Sequence, residues 1–305
     1  MRTLTTAFAA ILLAAPLCLA QTQPTSRPVA APGEQVQLVS ADFNFTEGPA
    51  ADAAGNVYFT DQPNDRILKW DAASGKISTF LQPCGRSNGM SFDAAGNLIS
   101  CADEHNELWS IAPDGSHIVI LKDLGGKLLN GPNDIWIRPT DGAIYLTDPL
   151  YKRKWWTRDP AMQQPSRAVI YISPDRKTVR RAAEDFKQPN GIIGTPDGRR
   201  LYVSDIDARQ TFVYDIADDG QLTNKRPFCA MGSDGMTIDD QGNVYLSNKG
   251  VSVFNPSGSL IDHIDIKQPW TANVCFGGAD RQTLFITASK AVYTLRTRVK
   301  GVGSP

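Results

Sequence analysis

Short runs of β-branched and aromatic residues, each introduced by an aspartate-led turn, recur six times along this chain. They read Asp52-Ala-Ala-Gly-Asn-Val-Tyr-Phe-Thr, Asp93-Ala-Ala-Gly-Asn-Leu-Ile-Ser, Asp141-Gly-Ala-Ile-Tyr-Leu-Thr, Asp197-Gly-Arg-Arg-Leu-Tyr-Val-Ser, Asp239-Asp-Gln-Gly-Asn-Val-Tyr-Leu-Ser and, degenerate, Asp280-Arg-Gln-Thr-Leu-Phe-Ile-Thr. The turn glycines fall at Gly55, Gly96, Gly142, Gly198 and Gly242, spaced by 41, 46, 56 and 44 residues, with Arg281 near the sixth equivalent position. Helical periodicity is scarce, and the runs have the length and composition of strands. Repeats of this size, each holding several short strands, predict an all-β fold: a six-bladed β-propeller with four-stranded blades. One end of every blade then meets a common axis, and residues distant in sequence become neighbours.

The last blade supplies only Asn273-Val-Cys-Phe, Thr283-Leu-Phe-Ile-Thr and Ala291-Val-Tyr-Thr-Leu. The unclaimed run Val36-Gln-Leu-Val-Ser is expected to be its fourth strand, closing the ring and removing exposed sheet edges. The expected span of the propeller is 35–298. Residues 21–34, rich in Gln, Pro, Thr and Ala, read as a flexible leader, and 299–305 as a tail. The longest spacing contains an insertion, Tyr151-Lys-Arg-Lys-Trp-Trp-Thr-Arg-Asp-Pro-Ala-Met-Gln-Gln-Pro-Ser, expected as a surface loop over one mouth of the ring. Trp155 and Trp156, with Arg153 and Lys154, read either as a substrate lid or as a partly covered loop.

Composition adds bounds. A chain of 305 residues accommodates one large all-β domain, and a formal net charge of −1 with no Lys/Arg run that stands out argues against a nucleic-acid partner. Residues 1–20 join a basic residue, a short apolar core and a small-residue end ending at Ala20, the pattern of a secretory signal. The expectation is an exported protein, periplasmic or extracellular, with no transmembrane segment after cleavage. Lipoprotein processing at Cys18 fits less well, because Pro16 and Leu17 stand where small residues are expected. Cys84, Cys101, Cys229 and Cys275 remain; any disulfide is open among three pairings, and no pair has zinc-site spacing.

The candidate chemistry lies just ahead of each first strand: Glu47-Gly-Pro, Ser87-Asn-Gly-Met, Gly131-Pro-Asn-Asp, Gln188-Pro-Asn-Gly-Ile, Ser233-Asp-Gly-Met and Ala272-Asn-Val. One oxygen-bearing side chain recurs in each: Glu47, Asn88, Asn133, Asn190, Asp234 and Asn273. Any single Asx-Gly pair is a turn former and nothing more. Six in register should converge at one end of the channel, where two carboxylates among amides need a compensating charge. A divalent cation supplies it. An all-oxygen shell suits Ca²⁺, with Mg²⁺, Mn²⁺ or Zn²⁺ open where only three or four protein ligands bind.

At these residues the chain resembles the gluconolactonase and senescence-marker-protein (regucalcin-like) family of six-bladed propellers, from about Phe45 to Leu295. The resemblance implies that Glu47, Asn190, Asp234 and Asn133 hold the metal, with Asn133 at the metal or the substrate. It also makes Asp234 the acid/base candidate. Regucalcin-like members carry a substrate-contacting arginine two residues before the Asn-Asp asparagine, where this chain has Gly131. Arg86, two residues before Asn88, is the candidate substitute for that charge, and Asn88 and Asn133 are the companion substrate-binding candidates.

The implied reaction is opening of a sugar-type lactone. The alternatives are a non-catalytic binding propeller stapled by a structural ion, and a paraoxonase-like esterase with a non-sugar substrate. The one Gly-X-Ser-X-Gly match, Gly85-Arg86-Ser87-Asn88-Gly89, leads into a strand run and not a helix, so it does not make a nucleophile elbow. His105, His117 and His263 lack matched partners and read as packing or surface residues, with His105 beside Asp103 and Glu104 the one worth testing. Asp148 and Asp205, which end their strands, read as blade-packing groups.

Overall fold

In the computed structural model, which describes residues 29–302, six four-stranded antiparallel sheets form a propeller. Their inner strands are Thr46–Ala51, Met90–Phe92, Ile135–Ile137, Pro189–Gly194, Met236–Ile238 and Asn273–Gly277. Within the first five blades, strands pair in chain order from axis to rim. The sixth blade runs inward-out as Asn273–Gly277, Thr283–Ala288, Ala291–Arg296 and finally Gln37–Ser40. That N-terminal strand pairs antiparallel with the last one, Gln37 opposite Thr294 and Leu38 opposite Tyr293. The expected closure is therefore the observed one.

The repeated turn has a common cause. In Asp52, Asp93 and Asp239 the carboxylate accepts the backbone N–H of the asparagine four residues on, at 2.9, 2.8 and 2.8 Å. The asparagine side chain donates to the same carboxylate. This Asx-type arrangement closes the loop ahead of each second strand. Its fourth position needs positive φ, supplied at little cost by Gly55 and Gly96, whereas Arg281 adopts φ 59° in the degenerate sixth copy.

Apolar side chains of neighbouring blades interdigitate to make the core. Ile99, Cys101 and Leu108 of the second blade pack with Ile135, Ile144, Leu146 and Ile170 of the third. Met90 and Met236 are buried with them in adjacent clusters, as ordinary core. All four cysteines among the described residues are free thiols; burial pushes Cys84 up to about 12 and Cys229 to about 11.

The ends depart from the sequence reading. Val29 and Ala30, in the stretch read as leader, belong to the packed structure: Val29 is buried, and Ala30 bridges Thr297. Residues 299–302, read as tail, continue onto the fifth blade, where Gly301 bridges Asp239 and Val299 is buried. Apolar residues at both ends cover blade surface that the alternating pattern alone does not reveal. The signal read at 1–20 and the leader up to residue 28 lie outside the described residues. Among the described residues, no helix is long and apolar enough to cross a membrane.

Candidate active site

The six axis residues are all buried near the channel, and a packing rule explains the glycine that follows most of them. A Cβ on Gly48 would lie 1.9 Å from the Asn88 carbonyl oxygen. On Gly89 it would meet the Asp134 carboxylate at 2.3 Å, on Gly191 the Asp234 carbonyl at 2.5 Å, and on Gly235 the Asn273 side chain at 1.9 Å. Each blade's polar residue thus backs onto the glycine of the blade before it. A side chain there would push the ring open. Backbone bonds lock the same joints: Gly89 N donates to Asn133 O at 2.7 Å and Gly235 N to Ala272 O at 2.8 Å.

Aspartates at the ends of second strands hold the segments that lead to the axis. Asp148 accepts the N–H groups of Asn130 and Gly131, and Asp205 those of Lys187 and Gln188. Both thus fasten turns between strands through backbone N–H groups, in line with the packing role read from the sequence. Burial pushes Asp148 up to about 6 against those donors.

Glu47, Asn190 and Asp234 line one cavity of about 280 Å³ with Phe45, Tyr151, Arg153, Ile206 and Trp270. Asn190 Nδ2 donates to Asp234 Oδ1 and to the Tyr151 hydroxyl, each at 2.7 Å. Trp270 Nε1 donates to Asp234 Oδ2. Glu47 Oε2 accepts the Gly48 N–H at 2.9 Å. Burial, then the charges of Asp234 and Asp134, push Glu47 well above the usual carboxylate range. Burial also raises Asp134, with Asp234 adding to it, and raises Asp234 against the N–H groups of Trp270 and Asn190.

Two observations test whether these residues fit a cation. The Asn190 Oδ1 is buried and has no hydrogen-bond partner, an orphaned acceptor beside two buried acids. Asp234 raises the proton affinity of Glu47 and of Asp134, and Asp134 that of Glu47, with the Arg153 charge only partly opposing this at Glu47. A hard dication would satisfy both deficits. Among the described residues no three His, Cys, Asp or Glu side chains form a ligand cluster, so such an ion would rest on two carboxylates and an amide oxygen.

The remaining candidates separate. Asn133 is buried, and its side chain has no hydrogen-bond partner among the described residues. Its neighbour Asp134, not singled out from sequence, points into the channel and accepts Asn273 Nδ2 at 3.2 Å on both oxygens. That bond joins the third blade to the sixth across the axis, so Asn273 serves Asp134 and is absent from the Glu47 cavity. Asn88 Nδ2 is buried without a partner.

Arg86 is employed elsewhere. Its Nε donates to Glu104 at 2.6 Å and its backbone N–H to Asp65, so the guanidinium braces the turn between two blades. The cation in the cavity is Arg153, from the insertion. The sequence placed the insertion over a mouth but did not assign Arg153 or Tyr151 to the acids. Trp270 was also missed, because an aromatic in the loop before Asn273 has no periodicity to mark it. Of the histidines, His105 and His117 flank Trp109 at 5.4 and 3.8 Å between centroids, and His263 contacts Ser252.

The fold and the cavity together define a six-bladed propeller carrying a cluster of buried acids where its inner strands converge. Residues 45–290 match the family described as the SMP-30/gluconolactonase/LRE-like region, and the chain belongs to that family. It is 30% identical over 297 residues to the gluconolactonase of Zymomonas mobilis, covering 87% of this chain and 82% of that protein. It is 26% identical to the diisopropyl-fluorophosphatase of Loligo vulgaris, covering 72% and 78%. Among solved structures, a gluconolactonase of Xanthomonas campestris superposes with a TM-score of 0.81 at 28% identity, covering 88% of this chain and 91% of that one.

Proposed function

We propose that this protein is an exported, metal-dependent lactone hydrolase of the gluconolactonase type. The observation that carries the site is the convergence of Glu47, Asn190 and Asp234 on one cavity, with the Asn190 carbonyl left unpaired. Family membership and the 30% identity to a gluconolactonase support the substrate class. Export rests on the signal-like pattern at 1–20 alone.

Glu47, Asn190 and Asp234 would hold the dication, Ca²⁺ first and Mg²⁺, Mn²⁺ or Zn²⁺ as alternatives, with Asn133 close by in the adjoining blade. When bound, such an ion polarises an ester carbonyl and lowers the pKa of water. The protein's own groups do the rest. Asp234 accepts a proton as water attacks the carbonyl carbon, and returns it to the ring oxygen as the carbon–oxygen bond breaks, leaving a hydroxy acid. Each Asp234 oxygen accepts one N–H bond, from Asn190 and from Trp270, which leaves a second lone pair on either oxygen for the proton. Phe45, Ile206 and Trp270 exclude bulk water around the reacting ester.

The test is acid release from a panel of aldonolactones by metal-loaded protein, with and without exhaustive chelation. Asp234→Ala should reduce turnover on the order of a thousand-fold while preserving the β-sheet circular dichroism signal. Activity indifferent to both treatments would refute the assignment. The similarity to a fluorophosphatase justifies a phosphotriester in the same panel. A metal-dependent melting temperature with no turnover of any substrate would instead indicate a propeller stapled by its ion.

A further inference from the structure

We infer that Arg153 makes this site selective for lactones bearing an anionic substituent, a carboxylate in the first instance. The inference rests on the lactonase reading and goes beyond it by naming the substrate's charge.

The guanidinium of Arg153 lines the cavity but makes no hydrogen bond among the described residues, and its Nε is buried without a partner. The one carboxylate within 4 Å is Asp103, at 3.8 Å from Nε, so neither Glu47 nor Asp234 is bonded to it directly. Its field reaches both all the same, holding them lower than burial alone would. The side chain is 19% exposed and lies over the rings of Tyr151 and Trp155, 5.0 and 6.0 Å from their centroids. A planar fork with its donors unspent is therefore presented to a cavity.

The segment that presents it is anchored. Arg158 stacks on Trp156 at 3.5 Å, pairs with Asp103 at 3.4 Å and donates to the Asn130 carbonyl at 2.9 Å. Thr157 donates to Glu104, which Arg86 also holds. Asn130 Oδ1 accepts the N–H groups of Gln163 and Gln164, and Gln164 Nε2 caps the Lys127 and Leu128 carbonyls. Gly131 is required beneath this lattice, since a Cβ there would lie 2.6 Å from Asp103 Oδ1 and 2.7 Å from Arg158.

A cavity of about 280 Å³ sits just below the range usual for drug-sized ligands and suits one small ring. Tyr151 and Arg153 of the insertion line the same cavity as the acids, so a ring whose ester sits at the acids shares that space with the guanidinium. A neutral sugar lactone offers the fork only hydroxyls, whereas a carboxylate accepts two charge-assisted bonds from it. The cost of bringing an anion near Glu47, Asp134 and Asp234 falls when the dication is in place, so the metal-loaded protein is the one to test.

The experiment compares kcat/KM for an aldonolactone, its aldarolactone counterpart with a terminal carboxylate, and a phosphorylated aldonolactone. Either anionic substrate should exceed the neutral one by tenfold or more, the better of the two naming the substituent. Arg153→Gln should cut that ratio on the order of a hundredfold and Arg153→Lys less, with the exposed Lys152→Gln leaving it unchanged. Equal rates on neutral and anionic lactones, a ratio insensitive to Arg153→Gln, or an equal drop in Lys152→Gln would overturn the inference and leave the lactonase reading standing. Failure to open any lactone would overturn the lactonase reading instead. Calorimetric binding of an aldarate against an aldonate then decides the role of Arg153 separately.

Discussion

At the scale of single residues, the chain spends glycine where blades touch and acid where they meet. Gly235 separates Asp234 from an Asn273 side chain that would lie 1.9 Å from an added Cβ. Gly235→Ala should therefore destabilise the protein by about 1–3 kcal/mol through overpacking, read as a fall of several degrees in melting temperature. The acids predict a proton linkage. Glu47 and Asp134 are held well above ordinary carboxylate values by burial and by the charge of Asp234. Such groups keep their protons in the folded state after the unfolded chain has lost them near pH 4, so metal-free stability should fall as pH rises from about 4. A dication should reverse that slope and release protons on binding, measurable by calorimetry in buffers of different ionisation enthalpy. Metal binding without proton release would contradict this picture. The sequence exposed Glu47, Asn190 and Asp234 because each occupies the same place in a repeat. It hid Asp134, which is one position out of that register behind Asn133, and Trp270, which belongs to no repeat at all.

At the scale of elements, strands and turns were legible and the insertion only half so. Alternation of Val, Tyr, Leu and Thr behind an Asp-led turn encodes a second strand without reference to the rest of the fold. The insertion has no such code. Its conformation comes from contacts with Asp103, Asn130 and Leu128, which lie 20 or more residues away in sequence. Arg86 shows the same limit, for its local motif suggested a ligand while Glu104 and Asp65 make it a brace. The insertion also has a titratable anchor. Burial pushes Asp103 up to about 6, against the opposing charges of Arg153 and Arg158. Its ion pairs form as pH rises through that value, so the insertion should be held more firmly above pH 6 than below it. Tryptophan fluorescence should report a transition near pH 6 that Asp103→Asn removes. Burial pushes Asp148 up to about 6 as well, and it feels Asp103 and Arg158, so Asp148→Asn is the comparison that assigns the transition. A transition that survives in Asp103→Asn and vanishes in Asp148→Asn would reassign it.

At the scale of the whole molecule, six sheets whose inner strands line the axis are closed into a ring by a final blade made from the two ends of the described residues. Ring closure was readable from arithmetic, because the last repeat lacked one strand and the first run lacked a partner. The further packing of Val29 and Val299 was not, since nothing local distinguishes a covering apolar residue from a solvent-facing one. Deleting residues 29–40 should lower the melting temperature by more than any single substitution named above, because it exposes the outer edge of Ala291–Arg296. A shortened protein as stable as the full chain would show that the edge strand is dispensable.

The two-ended blade also constrains when the molecule can exist. Gln37–Ser40 and its hydrogen-bonding partner Ala291–Arg296 lie at opposite ends of the described residues. Until Ala291–Arg296 has been made, the first strand has no edge to pair with, and the ring of blades stays unlatched.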